Sequence, residues 1–312
     1  MDTSHRCMDV SVEVSTDTFS LDGASVLNVG TMPFGLASTE DSYFLQNGFD
    51  GMLGLALEER ARVAAVTPLQ VVARGASIPP KFGLYIAPHD APCASGLSLG
   101  GYDASKLPGT AATFWFPLLQ QGQPNSPPSG WDVWRAPLTA VLLSSPSQST
   151  DHVLPGCATT FCTVTLASSY PAIGLPTTAW QSAVYMLNAS CAWGCALVPD
   201  AASGETKLFC DASCALSALP NISFAIATPD GSGPTIRFPL LPSEYAQPTT
   251  MNGVAVWDMK FAEYRGSLAG ELDVMLGEPF LRAYYTMFDG DNFQGTHACT
   301  ARPRPFFSVL RI

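Results

Sequence analysis

Four cysteines in the second half of the chain are spaced closely enough to form disulfides or to bind a metal ion. Cys191 and Cys195 are separated by three residues, and Cys210 and Cys214 repeat that spacing. Such a quartet can form two disulfides or bind a zinc ion, although zinc more often uses Cys-x2-Cys pairs. In a secreted protein, two disulfides would be favoured over zinc or free thiols. Since four cysteines allow three pairings, the sequence leaves the pairing open.

Other cysteines and two sequons point to an oxidising compartment. Cys157 and Cys162 are a further candidate disulfide, and because the chain has 9 cysteines, at least one thiol has no partner within the chain. Cys7 is a candidate for that unpaired thiol. The Asn-x-Ser sequons at Asn188 and Asn221 are glycosylation candidates. These features favour a secretory history, although the first residues contain no apolar run typical of a signal peptide.

One short run matches a pattern found around catalytic serines. Residues 96–100 (GLSLG) fit Gly-x-Ser-x-Gly, a turn that must follow a strand and precede a helix to expose the serine. The flanking residues PCAS and GYD indicate neither element, so we interpret the run as part of a structural hairpin. The histidines share no motif, so neither a histidine-based triad nor a metal site is expected.

Composition excludes several classes of function and favours strands. The net charge is −11 with 15 Lys+Arg and no basic run, which argues against binding to nucleic acid or to an anionic membrane. No apolar run approaches 18 residues, so no transmembrane helix is expected. Glycine and proline number 26 each, so turns are frequent and a mainly-β protein is predicted.

Local patterns place the elements that would position any site. Thr67 is typical of an N-cap, and Gly75 of the C′ position of a helix over residues 68–74; a second helix is predicted over residues 177–187. Alternation of apolar and polar residues predicts strands elsewhere. The main ones cover residues 81–86, 97–103, 131–143, 161–166, 221–226 and 235–240. Residues 121–130 lack aromatic and aliphatic side chains and are the best linker candidate.

Several segments, in order along the chain, resemble motifs of the pepsin-like aspartic protease family. Residues 273–289 (DVMLGEPFLRAYYTMFD) resemble its C-terminal signature, in which an apolar strand turns at Leu-Gly and continues through a short helix into an aromatic strand. Gly277 relaxes the backbone at that turn, and Pro279 suits the start of the helix. The upstream segments with such a resemblance are residues 17–23 with 34–37, 49–56 (FDGMLGLA), 97–103 (LSLGGYD) and 219–224 with 241–245.

The resemblance implies a particular chemistry. Members of this family have two β-rich lobes, each contributing an Asp-Thr/Ser-Gly loop to a central cleft. The two carboxylates share one proton, so one acts as base on a water while the other acts as acid on the scissile carbonyl. The reaction is peptide-bond hydrolysis without a cofactor or a metal. This chain contains no Asp-Thr-Gly and no Asp-Ser-Gly.

The second catalytic loop should lie between Cys157 and Pro176, within residues 163–176 (TVTLASSYPAIGLP). Alignment on the Ser-Ser pair places Thr165 in the aspartate slot, whereas alignment on the distance to Pro176 places Ala167 there. Neither side chain carries a carboxylate, so no catalytic residue is assigned. The residues that follow the slot are candidates for substrate contact: Ser168, Ser169 and Tyr170.

The sequence therefore predicts a mainly-β, two-lobed pepsin-like architecture with a few short helices. The resemblance begins after the flap, so the first lobe, residues 1–120, is expected to be incomplete, and residues 131–312 form the second lobe. We expect an aspartic endopeptidase family member that is inactive as written. One alternative is a pseudoprotease that binds a peptide or protein in the interlobe cleft, and another is a chain without a stable function. A monomer in a secreted or vacuolar compartment is expected.

Overall fold

The structure is a computed structural model, and strands dominate the part of the chain that it describes. The described residues are 11–21, 27–39, 51–57, 67–88, 93–106, 114–119, 133–145, 150–157, 162–199, 206–227, 235–264, 272–290 and 306–311. The mainly-β fold class expected from composition and family resemblance is confirmed.

The strands are numbered along the chain. They are β1 (Ser11–Leu21), β2 (Leu27–Thr39), β3 (Lys81–Tyr85), β4 (Gly96–Leu99), β5 (Phe114–Pro117), β6 (Arg135–Ser144), β7 (His152–Val153), β8 (Cys162–Leu166), β9 (Ile173–Leu175), β10 (Cys195–Pro199), β11 (Thr206–Asp211), β12 (Asn221–Ile226), β13 (Ile236–Leu240), β14 (Ala246–Met251), β15 (Val254–Met259), β16 (Phe261–Glu263), β17 (Leu272–Leu276), β18 (Tyr284–Asp289) and β19 (Phe306–Arg311). The strands predicted in the second half of the chain are confirmed, with shifts of a few residues at their ends.

The helices are short and lie between strands. They are α1 (Pro68–Ala76), α2 (Thr177–Ser190), α3 (Pro242–Tyr245) and α4 (Glu278–Ala283). Within the described ranges, no helix combines the length and the apolar character needed to cross a membrane.

Helix α1 begins where the sequence predicts and ends later. Thr67 caps it, accepting a hydrogen bond from the backbone N–H of Gln70, whose side chain in turn accepts from the Thr67 N–H. The predicted C′ glycine, Gly75, lies inside the helix instead. Ser77 adopts the left-handed conformation (φ 56°), and the N–H of Ile78 bonds to the carbonyl of Ala73. Backbone hydrogen bonds thus close the helix without a glycine.

The largest sheet contains the region of the predicted second loop. Its strand order is β13-β12-β6-β8-β17-β9-β16. Strand β17 lies between β8 and β9, parallel to the former and antiparallel to the latter. The connection from β8 to β9 must therefore pass over the end of β17.

Gly277 lies where that connection crosses. Its φ of −94° is accessible to any residue, so the turn does not itself require glycine. A Cβ atom at this position would overlap the backbone carbonyl oxygens of Tyr170 and Ala172. The backbone approaches so closely that only glycine fits, a reason different from the backbone flexibility that the sequence suggested.

A second sheet joins strands from both sides of the predicted linker. Its order is β4-β3-β18-β19-β5. The Phe82 ring stacks on Phe288 with centroids 4.3 Å apart, and Trp134 meets both rings edge-on. One continuous apolar core thus includes side chains from both halves of the chain. Residues 121–130 lie outside the described residues, and the domain boundary stays a prediction.

Two smaller sheets complete the described fold. Strands β1 and β2 form an antiparallel pair, and β10, β11, β15 and β14 form a sheet in that order. The sequence suggested short strands and turns over residues 9–37, whereas β1 and β2 are long. Their pairing runs from Ser11 to Leu21, with register shifts between Ser11 and Val12 and between Phe19 and Ser20, and Gly30 on β2 has a φ of 91°.

Candidate functional site

The side chains of strand β8 lie alternately on an apolar face and on a polar face of the sheet. All five of its residues are buried. Cys162, Val164 and Leu166 belong to the main core. Side chains alternate between the two faces of a strand, so Thr163 and Thr165 lie on the opposite face. Buried hydroxyls need partners, and the neighbouring parallel strand supplies one.

That partner is the carboxylate of Asp273 on β17. Thr163 Oγ1 donates a hydrogen bond to Asp273 Oδ1 at 2.8 Å. Thr165 Oγ1 lies 2.9 Å from Asp273 Oδ2 and 3.1 Å from Oδ1. The three side chains, hereafter the threonine–aspartate cluster, are 1%, 6% and 9% exposed. Hydrogen bonds from the two hydroxyls offset part of the cost of keeping a carboxylate away from water.

A buried cation shares this face of the sheet. Arg135 on β6 is paired with Thr165 in the antiparallel register, so the two side chains lie on the same face. Arg135 is 5% exposed. In β6, β8 and β17, as far as the structure describes them, Arg135 and Asp273 are the charged residues. A buried positive charge on the same face lowers the electrostatic cost of the buried negative one.

The two candidates for the aspartate slot have different surroundings. Thr165 lies within β8, and its hydroxyl contacts a carboxylate. Ala167 lies just beyond the strand and is half-buried; its backbone N–H donates to the carbonyl of Leu276 at 3.1 Å. Of the two positions, only that of Thr165 carries a side chain that interacts with an acidic group.

The predicted substrate-contact residues follow in an exposed turn. Ser168 and Ser169 are exposed, and the turn closes through a hydrogen bond from the Tyr170 N–H to the Ala167 carbonyl. The Tyr170 ring packs edge-on against Tyr264, with centroids 6.2 Å apart. The structure thus places the serine pair at the surface, a few residues from the buried cluster.

Sequence reasoning missed Asp273 and Arg135. Asp273 lies within the C-terminal signature, where the sequence predicts only an apolar strand. The usable signal was a single acidic residue in an otherwise apolar run, because a buried charge requires hydrogen bonds or a charged partner. Neither its partners nor their distance could be read from the sequence.

The six candidate cysteines form three disulfides. The pairs are Cys157–Cys162, Cys191–Cys214 and Cys195–Cys210. The predicted disulfides are confirmed, and the structure resolves the pairing that the sequence left open: the two bridges of the quartet each link one Cys-x3-Cys pair to the other. The Cys195–Cys210 bridge joins residues that face each other on β10 and β11.

The alternative of a zinc site does not fit this arrangement. The sulfurs of Cys191, Cys195 and Cys210 lie within 4.8 Å of one another, but a metal ligand must be a thiolate, and these sulfurs are oxidised. Among the described residues, Cys93 is the free cysteine and is exposed. Its sulfur lies 3.1 Å from the Tyr85 hydroxyl, and this hydrogen bond, with burial, raises the pKa of Tyr85. The candidate Cys7 lies outside the described residues.

The serine at the centre of the GLSLG run is not an elbow nucleophile. Ser98 lies inside β4, where it is paired with Gly83, and its hydroxyl donates to the Gly83 carbonyl at 3.3 Å. The following residues turn at Gly100 (φ 81°) instead of entering a helix. The interpretation of residues 96–100 as part of a structural hairpin is confirmed.

The two sequons lie in regular structure. Asn188 is on α2, where its side-chain oxygen accepts a hydrogen bond from the Cys195 N–H at 3.0 Å. Asn221 starts β12 and is paired with Ser144. Glycosylation at either site stays a prediction.

A surface groove of about 870 Å³ runs along α2. Its lining includes His152, Gln181 and Tyr185. None of the residues of the threonine–aspartate cluster lines it, so it is a separate feature of the surface.

Comparison of the sequence with known proteins agrees with the family resemblance described above. The sequence model of eukaryotic aspartyl proteases matches residues 8–298. Gastricsin of Oryctolagus cuniculus is 28% identical over 282 residues, which cover 88% of this chain and 60% of that protein. Gastricsin of Homo sapiens is 26% identical over 289 residues, which cover 90% of this chain and 63% of that protein. The chain thus spans about 60% of the length of these relatives.

Proposed function

Because this chain belongs to the eukaryotic aspartyl protease family, we propose that it is an aspartic endopeptidase relative that does not hydrolyse peptide bonds by the two-carboxylate mechanism. The observation that supports this is that neither candidate for the second-lobe aspartate slot, Thr165 or Ala167, carries a carboxylate. The Thr165 hydroxyl, within β8, donates to Asp273, and Ala167 lies just beyond that strand. Neither a hydroxyl nor a methyl group can share a proton as one of a pair of carboxylates does.

Asp273 does not substitute for the missing carboxylate. It is 9% exposed, and its oxygens accept hydrogen bonds from two threonines. A general base must reach a substrate-bound water, which this buried arrangement does not favour. An additional upstream segment could supply a first carboxylate, but it would change neither position 165 nor position 167.

A cleavage assay tests this proposal. The purified protein is incubated at acid pH with a casein-type substrate, with and without a pepstatin-type inhibitor, beside an active aspartic protease as positive control. We expect no inhibitor-sensitive cleavage by this chain. Inhibitor-sensitive hydrolysis that co-purifies with the protein through successive columns would refute the proposal.

Binding without turnover is the second candidate function. Ser168 and Ser169 form an exposed turn next to the buried slot, which favours contact with a peptide or protein segment in the cleft. The three disulfides further favour a secreted or vacuolar compartment, because cytosolic thiols are kept reduced.

Fluorescence anisotropy with labelled casein peptides tests this candidate. We expect saturable binding that the pair of substitutions Ser168→Arg and Ser169→Arg weakens about tenfold, corresponding to roughly 1.4 kcal/mol. Thr249→Arg, at an exposed position of β14, is the matched control and should bind as the unmodified protein does. Equal binding by both variants would count against the turn as a contact surface.

A further inference from the structure

An exposed pair of aromatic side chains lies next to one of the two sequons. Tyr185 on α2 and Trp193 just beyond that helix are 63% and 59% exposed, and their rings meet edge-on with centroids 5.4 Å apart. Asn188 lies between them in the sequence. We propose that Asn188 carries an N-linked glycan whose first sugars pack on this aromatic pair. The proposal goes beyond the functions proposed for the cleft and rests on the secretory compartment that the disulfides favour.

The local backbone brings the sequon to the aromatic pair. Tyr185 and Asn188 are three residues apart on α2, which makes them neighbours on the surface of the helix. The N–H of Trp193 donates to the carbonyl of Asn188 at 2.8 Å. The backbone at Ala192 and Trp193 is left-handed, with φ of 51° and 66°, so the chain reverses direction there and the Trp193 ring meets the last turns of the helix. A sugar attached to Asn188 therefore starts beside both rings.

The side-chain amide of Asn188 is oriented for attachment of a sugar. Its oxygen accepts a hydrogen bond from the Cys195 N–H at 3.0 Å. Because a backbone N–H only donates, the atom that it meets is the oxygen, and the amide nitrogen takes no part in this contact. When an oligosaccharide is transferred from a polyprenyl diphosphate carrier, that nitrogen bonds to C1 of the first sugar, the diphosphate leaves and the nitrogen loses one proton. The glycosylated side chain can still accept from Cys195.

The surface around the aromatic pair suits a neutral occupant rich in hydroxyls. Residues 153–199 contain no Asp, Glu, Lys or Arg, in a chain whose net charge is −11. The groove along α2 is lined by Tyr185 and by uncharged polar side chains, among them Gln181, Ser182 and Ser190. A sugar has apolar C–H faces that pack on aromatic rings, and hydroxyls that need hydrogen-bond partners. This surface supplies both, and a glycan would keep it solvated.

Expression in a eukaryotic secretory host tests whether the sequon is occupied. The full chain is produced behind a cleavable secretion signal, and peptides from the secreted and the intracellular protein are mapped by mass spectrometry. We expect a glycan on Asn188. Ser190→Ala removes the sequon and should abolish it, whereas the matched Ser190→Thr preserves the sequon and should retain it. Unmodified Asn188 in both fractions would refute the inference.

Thermal unfolding tests whether the glycan packs on the rings. We expect the glycosylated protein to melt about 2 °C above the Ser190→Ala protein. In a background with both Tyr185→Ser and Trp193→Ser, this increment should fall below about 0.5 °C. Comparing increments between backgrounds cancels the intrinsic effect of the change at Ser190. The matched control is Tyr102→Ser, which disrupts another exposed ring pair, with Trp115 at 6.1 Å, and should leave the increment unchanged.

Quenching of tryptophan fluorescence by acrylamide gives a second readout that leaves the rings unaltered. A glycan that packs on Trp193 should lower the contribution of this residue to quenching about twofold relative to Ser190→Ala, because it covers one face of the ring. The contribution is obtained by subtracting the signal of Trp193→Phe, prepared with and without the sequon. Equal quenching with and without the glycan would contradict the inference.

Each outcome decides for or against the packed glycan. A melting increment that is lost with the two rings and kept in Tyr102→Ser supports it. An equal increment in both backgrounds would mean that the glycan extends into solvent, and concentration-dependent dimerisation that requires the two rings would mean that they bind a second copy of the chain; either result makes the inference wrong. Since neither cleavage nor peptide binding is measured, this inference and the proposed function can fail separately.

Discussion

The two faces of the β8–β17 strand pair are stabilised differently. Val164, Val274 and Leu276 are fully buried on the apolar face and join the main core. On the polar face, Thr163 and Asp273 depend on directional hydrogen bonds. Apolar packing is non-directional and tolerates changes elsewhere, whereas a hydrogen-bonded carboxylate requires particular partners. The apolar face can therefore keep the fold while residues on the polar face change.

The largest expected effect lies on the apolar face. Leu276→Ala should reduce the free energy of unfolding by about 2–5 kcal/mol, because it removes buried methyl groups and leaves a cavity. Met275→Ala, on the polar face and only half-buried, should cost less. Urea unfolding of both variants measures the difference. Equal costs would show that the two faces do not differ as described.

On the polar face, Thr163→Val tests whether hydrogen bonds stabilise the cluster. The substitution preserves shape but removes a donor to a buried carboxylate, which should cost about 1.5–3 kcal/mol. The matched control Thr250→Val, at an exposed position of β14, should stay within about 0.5 kcal/mol of the unmodified protein. A Thr163→Val variant as stable as that control would indicate that the hydroxyl is dispensable.

The disulfide at the start of β8 should contribute a somewhat smaller stabilisation. Cys157 and Cys162 are five residues apart, and closing a loop of that length contributes about 2 kcal/mol in the chain-entropy model. Replacing both residues by alanine, and measuring urea unfolding without reductant, checks this value. If the loss were far larger, the apolar face would depend on the bridge more than on packing.

The smallest effect concerns an exposed carboxylate and sharpens the contrast with Asp273. Asp151 accepts hydrogen bonds from Ser144 at 2.7 Å and from Arg237 at 2.5 Å, and these lower its pKa in that order. A pKa lowered in the folded state stabilises the protein above the unfolded value near 4 and loses this effect as pH falls. Asp151→Asn should therefore lower the melting temperature slightly at pH 7 and not at all near pH 2. A large loss at pH 7 would contradict the low value of exposed ion pairs.

Much of the secondary structure could be predicted from local sequence. Thr67 and its capping partner Gln70 mark the start of α1, because a cap needs only neighbouring residues. The alternation in β3 and β12 and the aromatic run of β18 likewise identify strands. The end of α1 was missed, since Ser77 closes it through backbone hydrogen bonds that no residue type specifies.

The sequence by itself determined the family, the mainly-β class and the absence of an Asp-Thr/Ser-Gly motif, because these depend on residue types and their local order. Only the tertiary structure decided that Thr165 meets Asp273, how the cysteine quartet is paired, and why position 277 must be glycine. Each of those depends on segments far apart in the chain that approach within a few ångströms. The position of β17 between β8 and β9 accounts for the first and the third of these. It brings Asp273 beside Thr165, and it brings Gly277 against the backbone of the connection from β8 to β9.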